Sequence, residues 1–443
     1  VPSARKSPPA PCGPGSRADI PEPKASDLKR HFRWAVLALG VSVLARLLWM
    51  VLSPNGMNLV DLHVYVDGSA ALPNDRLYDF TYSEDTPDFP LPFTYPPFAA
   101  LVFFPLHYLP FTAVAIGWLL AVTAALYAVV RIGFELVLGA DAVRTSQWRA
   151  ATAGWTAVGL WMEPVRTTLD YGQVNVFLVL GAMLAVRSSR WWVSGGLVGL
   201  VAGIKLTPAI TSLYFLARRR WATVAWSALV FSATVGASFV IAPLEARRYF
   251  GTLLGDADRI GPVGSVWNQS MRGALSRILG EDVEFGPWWI AAIAAVAASG
   301  FAAWRVLGPD DRLGTLVMVQ LFGLTLSPIS WSHHWVWLLP TVLWLLYGPL
   351  RAAPGARVIA GFWLATTLVG VPWVLSFFQD GMWAISRPGL LAWPAAVDVF
   401  GVVATYLWVA WHGRRQGRSP QGASAGVVPA STAAGTTHRI PVR

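Results

Sequence analysis

Apolar runs about as long as a bilayer is thick recur through this chain, and nothing else in it constrains the fold so tightly. A transmembrane helix needs roughly 20 such residues. Stretches 34–52, 111–130, 150–166, 172–187, 221–243, 287–307, 313–329, 334–350, 357–378 and 390–411 meet or approach that length. Two others, 96–110 and 191–217, are interrupted by proline and read as broken or re-entrant helices. Only 13% of residues are charged, against about 25% in a soluble protein. The 24 tryptophans suit membrane–water interfaces, and the strand alternation of an outer-membrane barrel is absent. The expected fold class is an all-α polytopic integral membrane protein of about 10–12 transmembrane helices, some broken.

The ends differ from the middle. Residues 1–33 carry seven Lys/Arg and three acids, and residues 412–443 carry five Arg and no acid. Both are rich in Pro, Ala, Gly and Ser and read as disordered cytosolic tails flanking a transmembrane domain over 34–411. Their charge accounts for much of the net +10 and fits anionic lipid headgroups, not nucleic acid. The sole cysteine, Cys12, excludes an intrachain disulfide. The first apolar run is long for a signal-peptide core and lacks a small-x-small exit, so it is expected to stay as an anchor. Val1 stands where Met is expected and reads as a GTG start.

Charge also sets orientation. Loop 54–96 holds seven acids and one arginine, whereas the tail before it is basic. The tail then lies inside and the loop outside. This scheme puts Arg187, Arg190, Arg218, Arg219, Arg220, Arg305, Arg312, Arg351 and Arg357 inside, and 163–171, 245–286, 330–333 and 379–389 outside. Residues 191–217 are flanked by arginines on both sides. A hairpin broken at "GIKLTP" keeps the charge rule, and a full crossing breaks it.

Polar residues at the membrane are costly, so each is a candidate. Asp61 in "NLVDLHVY" is either a helix cap or a general base at the membrane boundary. Asp67 would face elsewhere on a helix, and it and His63 read as support. Tyr95 opens "TYPPF", whose prolines and aromatics make a rigid lid or a wall for a lipid substrate. His333 and His334 in "SPISWSHHW" are an interfacial belt or a phosphate-facing pair. Lys205 lies mid-segment, too deep for easy snorkelling, while Arg46 is nearer its span's end and reads as snorkelling. The loop "MEPVRTTLDYGQVN" offers Glu163, Arg166, Asp170, Gln173 and Asn175 as a salt-bridged turn or a reader of phosphate and sugar. Asn268 and Arg272 are headgroup candidates in 245–286. No Walker loop, dinucleotide-binding glycine pattern or spaced Cys/His set is present.

Taken in order, "VDLHVY", "TPDFPLPFTYPPFAALVFFPLHYLPF", "YGQVNVFLVLG", "AGIKLTPAI" and "SPISWSHHWVW" resemble the actinobacterial polyprenyl-phosphate-mannose-dependent α-1,2-mannosyltransferases, within the C-type membrane glycosyltransferases. The likeness covers about residues 34–411 and is strongest to the branch that extends phosphatidylinositol tetramannoside to pentamannoside. It implies a polyprenyl-phosphate-β-mannose donor, no nucleotide sugar, inversion at the sugar carbon and an extracytoplasmic site in the cytoplasmic membrane. It also implies that Asp61, the acid of "DLHVY", is the base. The superfamily leaves room for a divalent metal, but no ligand set in this sequence demands one, and no cofactor is expected. Two rival readings remain. One keeps the chemistry with lipomannan or arabinan as acceptor, or a pentose as the transferred sugar. The other is a lipid transporter or flippase, which would show repeated halves and midplane polar pairs; here polar residues concentrate in the outer loops.

Overall fold

The structure is a computed structural model that describes residues 25–52, 57–86, 89–379, 381, 385 and 389–416. Most of both tails, with Cys12, and Asp88 of the acidic loop lie outside the described residues. The helices are α1 (Ala25–Leu52), α2 (Val60–Ala70), α3 (Pro97–Phe103), α4 (Phe111–Leu138), α5 (Ser146–Gly159), α6 (Glu163–Tyr171), α7 (Asn175–Arg187), α8 (Trp191–Ile204) and α9 (Thr211–Ala217). They continue with α10 (Trp221–Ile241), α11 (Pro243–Arg248), α12 (Met271–Leu279), α13 (Pro287–Trp304), α14 (Arg312–Leu326), α15 (Leu338–Tyr347), α16 (Ala356–Val369), α17 (Val371–Ser376) and α18 (Val397–Gln416). Among the described residues, five helices are long and apolar enough to cross a membrane, and shorter apolar helices complete the bundle. The fold is an all-α polytopic membrane protein.

Several boundaries shift from the sequence expectation. α1 starts at Ala25, ahead of residue 34, and α18 runs to Gln416, past 411, because a spanning helix projects beyond the apolar layer. The run 150–166 breaks between Gly159 and Glu163, where Pro164 sits at a first-turn position and starts a new helix. The run 357–378 divides at Gly370, whose φ of 73° ends one helix and begins the next. The run 334–350 opens as a 3₁₀ turn over Ser332–Trp337 before α15.

The segment 191–217 is a hairpin. α8 ends at Ile204, Lys205 is extended (φ −146°, ψ 131°), and a 3₁₀ turn at Thr207–Ile210 leads into α9. α8 runs parallel to α10 through Gly195, Gly199 and Gly203, spaced four apart on one face. A Cβ on Gly195 would lie 2.6 Å from the Thr223 carbonyl oxygen, and one on Gly199 2.5 Å from that of Ser227. Small residues are what let membrane helices approach so closely. With α8 and α10 parallel, α9 must return to the starting end, and Arg220 Nη2 donates to the Ser189 carbonyl at 3.3 Å there. The same end collects the Arg187–Glu135 pair at 2.7 Å and the bond from Arg312 to the Val186 carbonyl.

At the other end, loop 57–108 folds into a cap. A two-residue antiparallel ladder pairs Thr81 with Pro92 and Tyr82 with Leu91. Leu62, Tyr65, Leu77, Phe93, Ala99 and Phe103 form its buried core against α7 and α8. The main core, which includes Trp335, Trp344 and Trp363, lies within the bundle below.

Candidate active site

Between the cap and the bundle lies a cavity of about 420 Å³, lined among others by Asp61, Tyr95, Tyr171, Gln173, Lys205, Arg259, His333 and His334. Four separated stretches of sequence meet there, each delivered by a break in helical structure. Asp61 sits in the first turn of α2, whose entry residue Leu59 has φ 49°. Gln173 and Asn175 flank the tight corner from α6 to α7, where Gly172 adopts φ 71°. Lys205 sits at the tip of the α8–α9 hairpin. His333 and His334 lie on the 3₁₀ turn before α15.

These groups form one connected network. Lys205 Nζ donates to Asn175 Oδ1 at 3.0 Å and to the Tyr95 hydroxyl at 3.4 Å, and lies 2.9 Å from His334 Nε2. Asn175 Nδ2 donates to the His333 carbonyl at 3.0 Å, so the histidine turn and the lysine share one holder. Gln173 Oε1 accepts from the Tyr65 hydroxyl at 3.0 Å, which lies 2.8 Å from that of Tyr95. Burial pushes the Asp61 carboxyl up to about 6, against the opposing hydrogen bond from Gln173 and the positive charge of Lys205. A carboxylate poised near neutrality suits general-base work.

Other candidates fall outside the cavity wall. Asp170 pairs with Arg46, which is 2% exposed and so is not snorkelling. Arg166 lies over the Trp373 ring at 5.0 Å, and Glu163 is buried beside it. Arg272 is engaged by Asp282, with Nε at 2.9 Å. Asn268 is fully buried and pins the histidine loop, its Oδ1 accepting from Ser330 N at 2.9 Å and its Nδ2 donating to the Val263 carbonyl at 3.1 Å. His63 faces away from the cavity network, paired with Asp67 at 3.0 Å and stacked on Phe111.

Arg259 was not singled out by sequence. It reaches the cavity from loop 255–264, held by a 2.6 Å bond from Nη2 to the Phe93 carbonyl and stacked on Tyr78 at 5.0 Å. That loop's one arginine among Gly and Asp looks like any solvated surface loop. Among the described residues, no group of three or more His, Cys, Asp or Glu is arranged to hold a metal ion.

The pattern of glycosyltransferase family 87 matches residues 93–328. A Mycolicibacterium smegmatis protein is 56% identical over 90% of this chain and 95% of its own length. It is named a polyprenol-phosphate-mannose-dependent alpha-(1-2)-phosphatidylinositol pentamannoside mannosyltransferase. A Mycobacterium tuberculosis protein of the same name is 54% identical over 86% of this chain and 88% of its own. A second M. tuberculosis protein, named as the corresponding phosphatidylinositol mannoside mannosyltransferase, is 34% identical over 72% of this chain and 77% of its own. No solved structure matches the chain.

Proposed function

The chain belongs to glycosyltransferase family 87, and on that premise we propose that it transfers mannose from polyprenyl-phosphate-β-mannose to the 2-hydroxyl of a mannose on phosphatidylinositol tetramannoside, giving the pentamannoside. The observation that carries this reading is one cavity that joins a half-buried carboxylate, Asp61, to the ammonium of Lys205, which His334 Nε2 holds at 2.9 Å. That is the pairing an inverting transfer from a lipid phosphate needs. The names of the close relatives supply the donor and acceptor class.

In this mechanism Asp61 takes the proton of the acceptor 2-hydroxyl as its oxygen attacks the anomeric carbon. The attack comes opposite the phosphate, so a β-linked donor gives an α-linked product. The pair of electrons in the breaking carbon–oxygen bond leaves with the polyprenyl phosphate. Lys205 and His334 steady the charge that grows on that oxygen. Tyr95, Gln173 and Asn175 hold the network in register. The apolar wall of Leu253, Leu254 and Ile260 suits a prenyl chain.

The protein is read as residing in the cytoplasmic membrane with both termini cytosolic and the cavity outside. Support comes from the acidic cap over the cavity and the arginines gathered at the opposite end of the bundle. The decisive experiment incubates purified protein with polyprenyl-phosphate-mannose and either phosphatidylinositol tetramannoside or a long mannan, then determines the product linkage. An α-1,2-mannose on the short acceptor supports the reading. Product only on the long mannan would move the protein to a branching role.

Arg259 supplies a second cation on the cavity wall, away from the network around Lys205. It is expected to help hold the anionic donor without taking part in bond breaking. Arg259→Ala should therefore raise the donor KM about tenfold and leave kcat within a factor of about two, since a hydrogen bond to a charged group is worth roughly 1.5–3 kcal/mol. Steady-state kinetics at varied donor concentration checks this.

A further inference from the structure

The Arg46–Asp170 pair lies outside the cavity, yet it grips the piece of chain that presents the base. Asp170 belongs to the last turn of α6. Its carbonyl accepts from Asn58 N at 3.2 Å and Leu59 N at 2.8 Å. Those are the residues that lead into α2, and Leu59 O then accepts the 3.0 Å bond from His63 N within the helix. Two residues on, Gly172 lies against the same helix: a Cβ there would be 2.6 Å from the Leu62 Cβ. The next residue, Gln173, lines the same cavity as Asp61 and favours its ionised form. One corner of chain, 170–173, thus fixes the backbone that carries Asp61 and sets Gln173 on the cavity wall it shares.

That corner is fastened to α1. Arg46 Nη2 meets Asp170 Oδ1 and also donates to the Arg166 carbonyl at 3.3 Å. Here the pair ties α1 to the corner, and losing either partner would leave a buried charge uncompensated. Gln173 in turn is tied by Tyr65 and Tyr95 to the cap and through Asn175 to Lys205. A slip of the corner relative to α1 would move the base relative to the cation.

We propose that Arg46 and Asp170 are positioning residues for transfer, acting through the 170–173 corner on the placement of Asp61 and not by touching either substrate. This rests on the reading of Asp61 as the base. The groups facing Asp61 are Gln173, Lys205, Tyr65, Tyr95 and Tyr171, and Gln173 and Lys205 favour the ionised carboxylate.

Arg46→Ala strands a buried carboxylate and risks misfolding, so the informative variant replaces both charges: Arg46→Met with Asp170→Leu. Arg46→Lys is made alongside it as the conservative rescue. Active-site occupancy is measured by donor binding, and kcat, donor KM and the acid limb of kcat/KM are compared with wild type. The double variant is expected to bind donor with unchanged KM, to lose about tenfold in kcat, and to shift the acid limb upward by about half a pH unit as Gln173 and Lys205 draw away from the carboxyl. Arg46→Lys is expected to restore most of kcat. A purely structural pair would lower the bound fraction without moving the limb, and that result overturns the proposal. So does wild-type kcat in the double variant. Asp61→Asn, made in the same series, separates the two readings: if it is inactive while the double variant is fully active, only the positioning role fails.

Discussion

Asp61→Asn is expected to abolish mannosyl transfer, lowering kcat by about 10²–10⁴-fold, the usual contribution of a positioned general base. The substitution keeps the shape of the side chain and one of its oxygens, so the fold and the donor site should survive. It removes only the ability to take a proton. Donor binding by the variant, compared with its turnover, separates lost chemistry from lost structure. Near-wild-type transfer would sink the assignment. The wild type should carry a matching pH signature. The carboxylate is active ionised, and its value of about 6 places the loss on the acid side. Activity should fall toward tenfold per unit below pH 6, as the group becomes protonated. Asp61→Asn should lack that limb in whatever activity remains.

The site was legible where the membrane makes polarity expensive. Lys205 in "GIKLTP" stood out because a lysine deep in an apolar run needs a reason, and the break around it follows from Pro208. The adjacent histidines stood out for the same reason. Asp61 was separated from Asp67 only by the resemblance of "DLHVY" to a known motif. Its geometry supports the separation: Asp61 lines the cavity, while Asp67 is exposed and paired with His63.

Outer-loop polarity carried far less information. Glu163, Arg166, Asp170, Gln173 and Asn175 look alike in sequence because water reaches such loops readily. Only the tight turn at Gly172 decides that Gln173 lines the cavity, that Asn175 reaches it through Lys205, and that the first three pack behind it. Asn268 resembles a headgroup reader, yet its amide spans two loop carbonyls and two backbone N–H groups, Pro328 and Ser330 among them about 60 positions away. Arg46 looked like a snorkelling side chain because its partner, Asp170, is more than a hundred residues distant. Long-range pairing of this kind leaves no local pattern to read.

Lys205→Met is the second change expected to be severe, with kcat lower by about 10²–10³-fold, the range seen when a preorganised group at developing charge is lost. The methionine has nearly the length of lysine and suits an apolar hairpin tip, so α8 should still pack on α10 through its glycines. What disappears is the ammonium between Asn175 Oδ1, the Tyr95 hydroxyl and His334 Nε2. Without it the phosphate leaves with its charge unsteadied. Asp61 also loses its favourable positive neighbour, so the acid limb should move upward. Lys205→Arg should recover little, because a planar fork cannot replace three donors diverging from one nitrogen. His334→Ala is expected to cost about tenfold, since it removes one contact to the ammonium and leaves the charge. His333→Ala should cost less, because its backbone carbonyl, which the substitution keeps, is what holds Asn175. Single-turnover measurements at saturating donor test this order. A Lys205→Met variant with kcat within about threefold of wild type would shift the charge-stabilising role to Arg259 or His333, the other nitrogen bases on the cavity wall.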